Sequence, residues 1–221
     1  MTAFALKLIA IIAMTCDHIG ASILVGNDWL FLRAIGRLTM PIMAYFAAVG
    51  FRKTKNIGRY LLRLIIFAII SELPYYLVFG THGNVIITIF LGVFALYLGE
   101  IASKKSKVLQ ISIWLIFAII AFFAQTDWSF TGVLLIIAFY LANGNKIKSV
   151  LYPLPVYALY MTTFLGNGTH YFVFNMIQLW GLMSLPLLCL YNGRKGCNAK
   201  YLFYVYYPLH LAMIYIAKLL L

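Results

Sequence analysis

The sequence predicts an all-α polytopic membrane bundle of about nine transmembrane helices, with its N-terminus on the cytoplasmic side. Three observations carry this. Hydrophobic residues make up 64% of the 221 residues and charged residues only 10%, with a mean hydropathy of +0.96, whereas an average soluble domain is about a quarter charged. The apolar residues gather into segments near or somewhat below the ~20 residues that a helix needs to cross the hydrocarbon. The basic residues fall in every second connection, as the positive-inside rule requires.

The segments run in order over 4–25, 29–51, 59–79, 84–100, 108–125, 129–143, 147–165, 170–190 and 201–220. No soluble linker or internal repeat separates them, so 1–221 reads as one transmembrane domain. Arg52, Lys53, Lys55 and Arg59 fill the second connection; Lys104, Lys105 and Lys107 the fourth; Lys146 and Lys148 the sixth; Arg194, Lys195 and Lys200 the eighth. The odd connections (VGND, GTHG, QTDW, GNGTH) hold no Lys or Arg. The even connections are therefore expected inside and the C-terminus outside. A net charge of +12 then serves topology and anionic lipid head groups and points to no nucleic acid. Cys16, Cys189 and Cys197 have no spacing that suggests disulfides or zinc. The N-terminus lacks a clear cleavage site, so the first segment is expected to stay attached.

Function is written in the charges that a membrane should not hold. Asp17 and His18 are adjacent within the first segment, LKLIAIIAMTCDHIGASILV. Intramembrane ionisable residues are costly and face an interior or a water-filled cavity. Lys7 precedes His18 by eleven residues, almost three turns, so the two share a face about 16 Å apart along the axis. The threading places Asp17 and His18 in the outer half, with Arg33 and Arg37 of the second segment and Glu72 of the third at matching depth. One cavity between the first three segments is expected to take all five. Asn84 opens the fourth segment from outside, and His210 lies in the last, near the carbonyl of Tyr204 that Pro208 deprives of a donor. Two readings remain open at this point. The charges can be ion pairs that tie helices together, Asp17 with Arg37 and Glu72 with Arg33, or they can be a reaction site with His18 as base. Asp17 and His18 point about 100° apart, so Asp17 is expected to face an arginine rather than to orient His18. His210 reads equally as a core histidine or a substrate-channel residue, while His82 and His170 read as surface residues.

The segments LKLIAIIAMTCDHIGA, LRAIGRLTMPIMAYFAAVGF, YLLRLIIFAIISELPY, NVIITIFLGVFALYL, WSFTGVLLIIAFYL and YNGRKGCNAKYLFYVYYPLHL together resemble the TraX family, with DHIG, IGRLTMPI and YYPLHL the most telling elements. Lys7 and His18 also resemble the basic-x10-His pattern of type-3 membrane acyltransferases. The TraX resemblance implies a bacterial cytoplasmic-membrane enzyme that moves an acetyl group from acetyl-CoA, without a metal, to a peptide amine such as a pilin N-terminus, or to a hydroxyl. The resemblance puts Asp17, His18, Arg33, Arg37, Glu72 and His210 on the family's polar positions. His18 is then expected as general base or acetyl carrier, Arg33 or Arg37 as oxyanion donor, and Asp17 and Glu72 as partners of the arginines or of a cationic amine. Asn84 and His210 are expected toward the acceptor. Lys7, Arg52, Lys53, Arg59 and Arg63 are candidates for the phosphates of acetyl-CoA at the inner edge. The expected partners are lipids and a hydrophobic peptide or small membrane protein. The competing classes are a proton-coupled transporter, since the same residue types mark proton paths, and a non-enzymatic peptide-binding assembly or immunity protein. Neither needs acetyl-CoA.

Overall fold

The computed structural model describes residues 1–162, 176–197 and 200–221. Among these residues the chain is helical and contains no strand. Helix α1 (Ala3–Ser22) starts at Thr2, whose hydroxyl accepts the Ala5 N–H. The 29–51 segment is broken into α2 (Leu30–Gly36) and α3 (Thr39–Lys53). Pro41 explains the break: it has no N–H for the carbonyl of Arg37, four residues back. Helix α4 (Ile57–Phe79) runs from an Asn56 cap to Gly80, which takes the left-handed conformation (φ 71°) that ends helices. Helix α5 (Val85–Ser103) is capped by Asn84 and α6 (Lys107–Phe123) by Ser106. Then follow α7 (Ser129–Ala142), α8 (Lys146–Leu151) and α9 (Pro153–Thr162). A 3-10 turn at Leu179–Met183, α10 (Ser184–Cys189) and α11 (Lys200–Leu220) complete the described chain.

Among the described residues, five stretches are long and apolar enough to cross a membrane: α1, α2 with α3, α4, α5 and most of α11. The chain is a membrane protein on this ground. Helices α6 and α7 are apolar but shorter, and the 147–165 segment is split at Tyr152 into two short helices. The 170–190 segment lies partly outside the described residues, as do Asn167 and His170. Apolar side chains are turned outward along α4 (Ile65, Ile66, Ile69, Ile70) and α6 (Ile116, Ile119, Ile120, Phe123). An aqueous protein would bury such stripes; here they form a lipid-facing belt. The core is Leu6, Met40, Ile42, Leu96, Leu135 and Ile136, packed at small residues such as Gly92, which has no room for a Cβ beside Ile136.

The connections gather at two ends. At one, Arg52 donates to the Tyr140 carbonyl, the Tyr140 hydroxyl donates to Glu100, and the Met1 ammonium donates to the Leu190 carbonyl. Ala3 and Phe4 N–H groups donate to the Arg194 and Lys195 carbonyls, at 2.9 and 3.1 Å. The 192–195 strap thereby satisfies two of the unpaired amides that open α1. At the other end, the Asp127 N–H donates to the Gly83 carbonyl and Lys218 donates to the Val78 carbonyl. The basic connections thus share one end and the 80–84 and 124–128 connections the other.

Candidate active site

A cavity of about 410 Å3 opens at the basic end. Lys7, Lys53, Arg63 and Lys195 line its mouth. The Lys7 ammonium sits over the rings of Phe46 and Phe203, 5.2 and 5.3 Å from their centroids. The walls beyond are apolar. On α1 they are Ala10, Ile11 and Met14, which with Lys7 at the mouth carry the cavity about 10 Å along the helix. Val85, Ile86 and Tyr207 close the deep end. Two buried polar atoms lack hydrogen-bond partners on this cavity: Arg63 Nε near the mouth and the Tyr207 hydroxyl at the deep end. Lys7, Met14 and His18 recur at i, i+7 and i+11, so His18 is one turn past the cavity on the same stripe.

His18 is buried and enclosed by Phe79, Tyr207 and His210, with ring centroids 5.1, 6.2 and 5.0 Å away. Its Nδ1 lies 2.8 Å from His210 Nε2, and His210 Nδ1 lies 3.0 Å from the Tyr206 carbonyl. A carbonyl only accepts, so His210 Nδ1 carries a proton and donates it. With His210 neutral, its Nε2 must accept, so His18 donates through Nδ1. The lone pair of a neutral His18 is therefore on Nε2. His210 thereby fixes the ring orientation and tautomer of His18.

Beside the histidines lies a charge cluster. Asp17 Oδ1 is ion-paired with Arg33 Nη1 at 2.8 Å, Arg33 Nη1 donates to the Asp17 carbonyl at 3.2 Å, and Asp17 Oδ2 accepts from Arg37. Arg37 also donates to Gln178 Oε1 (3.0 Å) and to the Arg33 carbonyl (3.2 Å), and its guanidinium lies over the Trp128 ring at 5.5 Å. Gly36 admits this contact, since a Cβ there would fall on the Asp17 side chain. Asp127 faces the same cluster from the 124–128 connection. Burial pushes its carboxyl up to about 6, against the pull of Arg37 and Arg33 and with a push from Asp17. Among the described residues Asp127 makes no salt bridge.

The family model described as "TraX protein" matches residues 3–218. The chain belongs to the TraX family. A curated relative, "Probable fimbrial assembly protein FimC, serogroup H1" of Dichelobacter nodosus, is 33% identical over 245 aligned residues, covering 100% of this chain and 97% of the relative. An uncharacterized protein of Rickettsia prowazekii (strain Madrid E) is 36% identical over 90 residues, 39% of this chain and 33% of that protein. No solved structure matches.

In this TraX-family chain the structure brings Asp17, Arg33 and Arg37 together, with His18 and His210 paired alongside. Asp17 binds both arginines and not His18. Glu72 does not join the cluster. Its carboxylate accepts from Gly83 N–H (2.8 Å), Asn84 Nδ2 (2.6 Å) and His82 Nδ1 (3.2 Å), so it clamps the 80–84 connection, and Arg33 is left to Asp17. Asn84 is 0% exposed, and its amide is shared among Ala68, Glu72 and the N–H of Ile86, which leaves it a cap and clamp rather than a lining group. Of the inner-edge candidates, Lys7, Lys53 and Arg63 line the cavity, whereas Arg52 lies over Tyr140 and exposed Arg59 is off its wall. Sequence reasoning missed Lys195, Asp127, Gln178 and Tyr207. Asp127 had a signal, a carboxylate in an otherwise uncharged loop. Gln178 had none, being a single polar tip in an apolar run, and nothing in YLFYVYYPLHL singled out Tyr207 from the tyrosines around it.

Proposed function

We propose that this chain is an acetyltransferase of the bacterial cytoplasmic membrane that moves an acetyl group from cytoplasmic acetyl-CoA to the amine of a membrane-associated or exported peptide. The observation that carries this reading is the cavity: cations at its mouth, an apolar throat, and a histidine pair past its deep end. The residues suit the donor, since Arg63 Nε is an unpartnered N–H where a phosphate would lie and the throat matches an aliphatic arm in polarity. Acetyl-CoA would supply the acetyl group as a thioester.

Lys7, Lys53, Arg63 and Lys195 bind the phosphates by charge-assisted contacts. His18 takes the proton of the acceptor amine through Nε2 as the nitrogen–carbon bond forms. The carbon–sulfur bond breaks, and the departing thiolate recovers that proton, so the net products are an amide and a thiol. Asp17 holds Arg33 and Arg37 in place, and Asp127, which has no ion-pair partner among the described residues, receives the acceptor's ammonium group, whose first proton is lost to solvent before attack. The family membership and the assembly name of the Dichelobacter relative are consistent with a pilus-type acceptor.

Mass spectrometry of membrane and exported peptides, with and without the protein, tests this. A peptide heavier by one acetyl group only when the protein is present is the expected result, and His18→Ala should abolish it while acetyl-CoA binding persists. A purely structural role in fimbrial assembly, which the relative's name also suits, predicts no mass difference and no acetyl-CoA binding.

A further inference from the structure

We propose that the Tyr207 hydroxyl and the Val85 backbone N–H form the donor pair that binds the acetyl carbonyl oxygen during transfer. This rests on the acetyltransferase reading and names the part of the site that reading lacks.

Tyr207 is 4% exposed, and its hydroxyl has no hydrogen-bond partner although it lines the cavity. Buried hydroxyls find partners as a rule, and an orphan asks for an explanation. Val85 opens the 19-residue helix α5. The next two amides are taken, Ile86 N–H by Asn84 Oδ1 and Ile87 N–H by the Asn84 carbonyl, each at 3.0 Å. Val85 lines the same end of the cavity as Tyr207, and its N–H lies near the Tyr207 oxygen. Two donors therefore meet at the deep end of the cavity, and one is the first amide of a long helix, whose dipole favours negative charge. His18 is next to them, its ring 6.2 Å from that of Tyr207.

As the amine nitrogen bonds to the acetyl carbon, negative charge develops on the carbonyl oxygen; that electron pair re-forms the carbon–oxygen double bond as the carbon–sulfur bond breaks and its pair leaves on sulfur. Donors already fixed at that point, in a dry site, strengthen their bonds as the charge grows. Arg33 and Arg37, the oxyanion candidates from sequence, are turned to other partners: Arg33 to Asp17, and each nitrogen of the Arg37 guanidinium to Asp17, Gln178 or the Arg33 carbonyl.

The test is Tyr207→Phe in the full-length protein in detergent. Removing an orphan hydroxyl should leave the thermal unfolding temperature unchanged or raised. The affinity for acetyl-CoA should stay within about threefold, and turnover should fall about a hundredfold. Infrared spectra of bound acetyl-CoA labelled with 13C at the acetyl carbonyl give a readout independent of turnover: the carbonyl stretch should fall on binding to the wild type, and that shift should shrink in the variant. Turnover within threefold of wild type, or an equal carbonyl shift in both proteins, overturns the donor pair while leaving acetyl transfer intact. Absence of acetyl-CoA binding and transfer in the wild type itself overturns both.

Discussion

Asp127 is held in a loop strained on either side of it. Gln125, Trp128 and Ser129 all have positive φ, at 50°, 61° and 42°, a conformation that costs a non-glycine residue on the order of 1–2 kcal/mol. The loop is pinned by the Asp127 N–H on the Gly83 carbonyl (2.6 Å), by Ser129 N–H on the Thr126 carbonyl (2.7 Å) and by the buried Thr88 hydroxyl. Strain of this kind gathers where a side chain has to be aimed, and here it aims a carboxylate at Arg33, Arg37 and Asp17. The folded-state pKa of about 6 lies above the ordinary value near 4. Between these values the folded protein holds a proton that the unfolded chain releases, so stability conferred by this group falls as pH rises from about 4 to about 6. Asp127→Asn should remove that slope and unfold no earlier than wild type at pH 7, as thermal melts across pH 4–7 will show. In the wild type the KM for a cationic peptide should climb as pH drops below about 6, and in Asp127→Asn it should be raised about tenfold at neutral pH, as expected when one buried charge contact is lost. A variant less stable than wild type with an unchanged peptide KM makes Asp127 a loop clamp instead.

The α1–α2 contact shows what an element adds to its residues. Gly36 brings α2 against Asp17 so closely that a methyl group would overlap the carboxylate-bearing side chain. Gly36→Ala should therefore destabilise the protein by about 1–3 kcal/mol through overpacking and cost activity by spreading Asp17 from Arg37, read as denaturation midpoint and turnover together; loss of stability with full turnover would dissociate the cluster from function. Much of this element level was legible in the sequence. The residue depths put Asp17, His18, Arg33 and Arg37 in one layer, and the 100° offset kept Asp17 off His18 and on an arginine. Helical spacing placed Lys7 on the stripe that became a cavity wall. Glu72 has the same depth, but depth says nothing of azimuth, and the adjacent 82–84 connection offers donors at short sequence range. The break at Arg37–Leu38 had a signal in Pro41, masked by the unbroken apolar run around it. Tyr207 was illegible because only the packing reveals that its hydroxyl lacks a partner.

At the scale of the molecule the issue is which side each end faces. The mouth with Lys7, Lys53, Arg63 and Lys195 shares its end with the basic connections, while Asp127 and the 80–84 connection occupy the other. The positive-inside rule assigns the basic end to the cytoplasm, the side from which the proposed acetyl-CoA donor would come, and Asp127 to the opposite side, where the proposed exported acceptor would arrive. On that reading donor and acceptor approach His18 from opposite sides. Two measurements bear on this arrangement. With the native cysteines replaced, Thr81→Cys should react with a membrane-impermeant maleimide in intact cells, and Lys55→Cys only after permeabilisation; both positions are exposed. The reverse pattern would put the cavity mouth outside and remove cytoplasmic acetyl-CoA as its ligand. Given the expected orientation, Arg63→Gln should weaken acetyl-CoA binding about tenfold, because an N–H buried on the cavity wall loses its anionic partner, whereas Arg59→Gln, off the wall, should leave it unchanged. The loss should be larger at low than at high ionic strength, since the mouth is open to solvent and its charges are screened over about 10 Å at 0.1 M salt. Equal effects of the two substitutions would mean that net charge at the inner surface, rather than this cavity, attracts the donor.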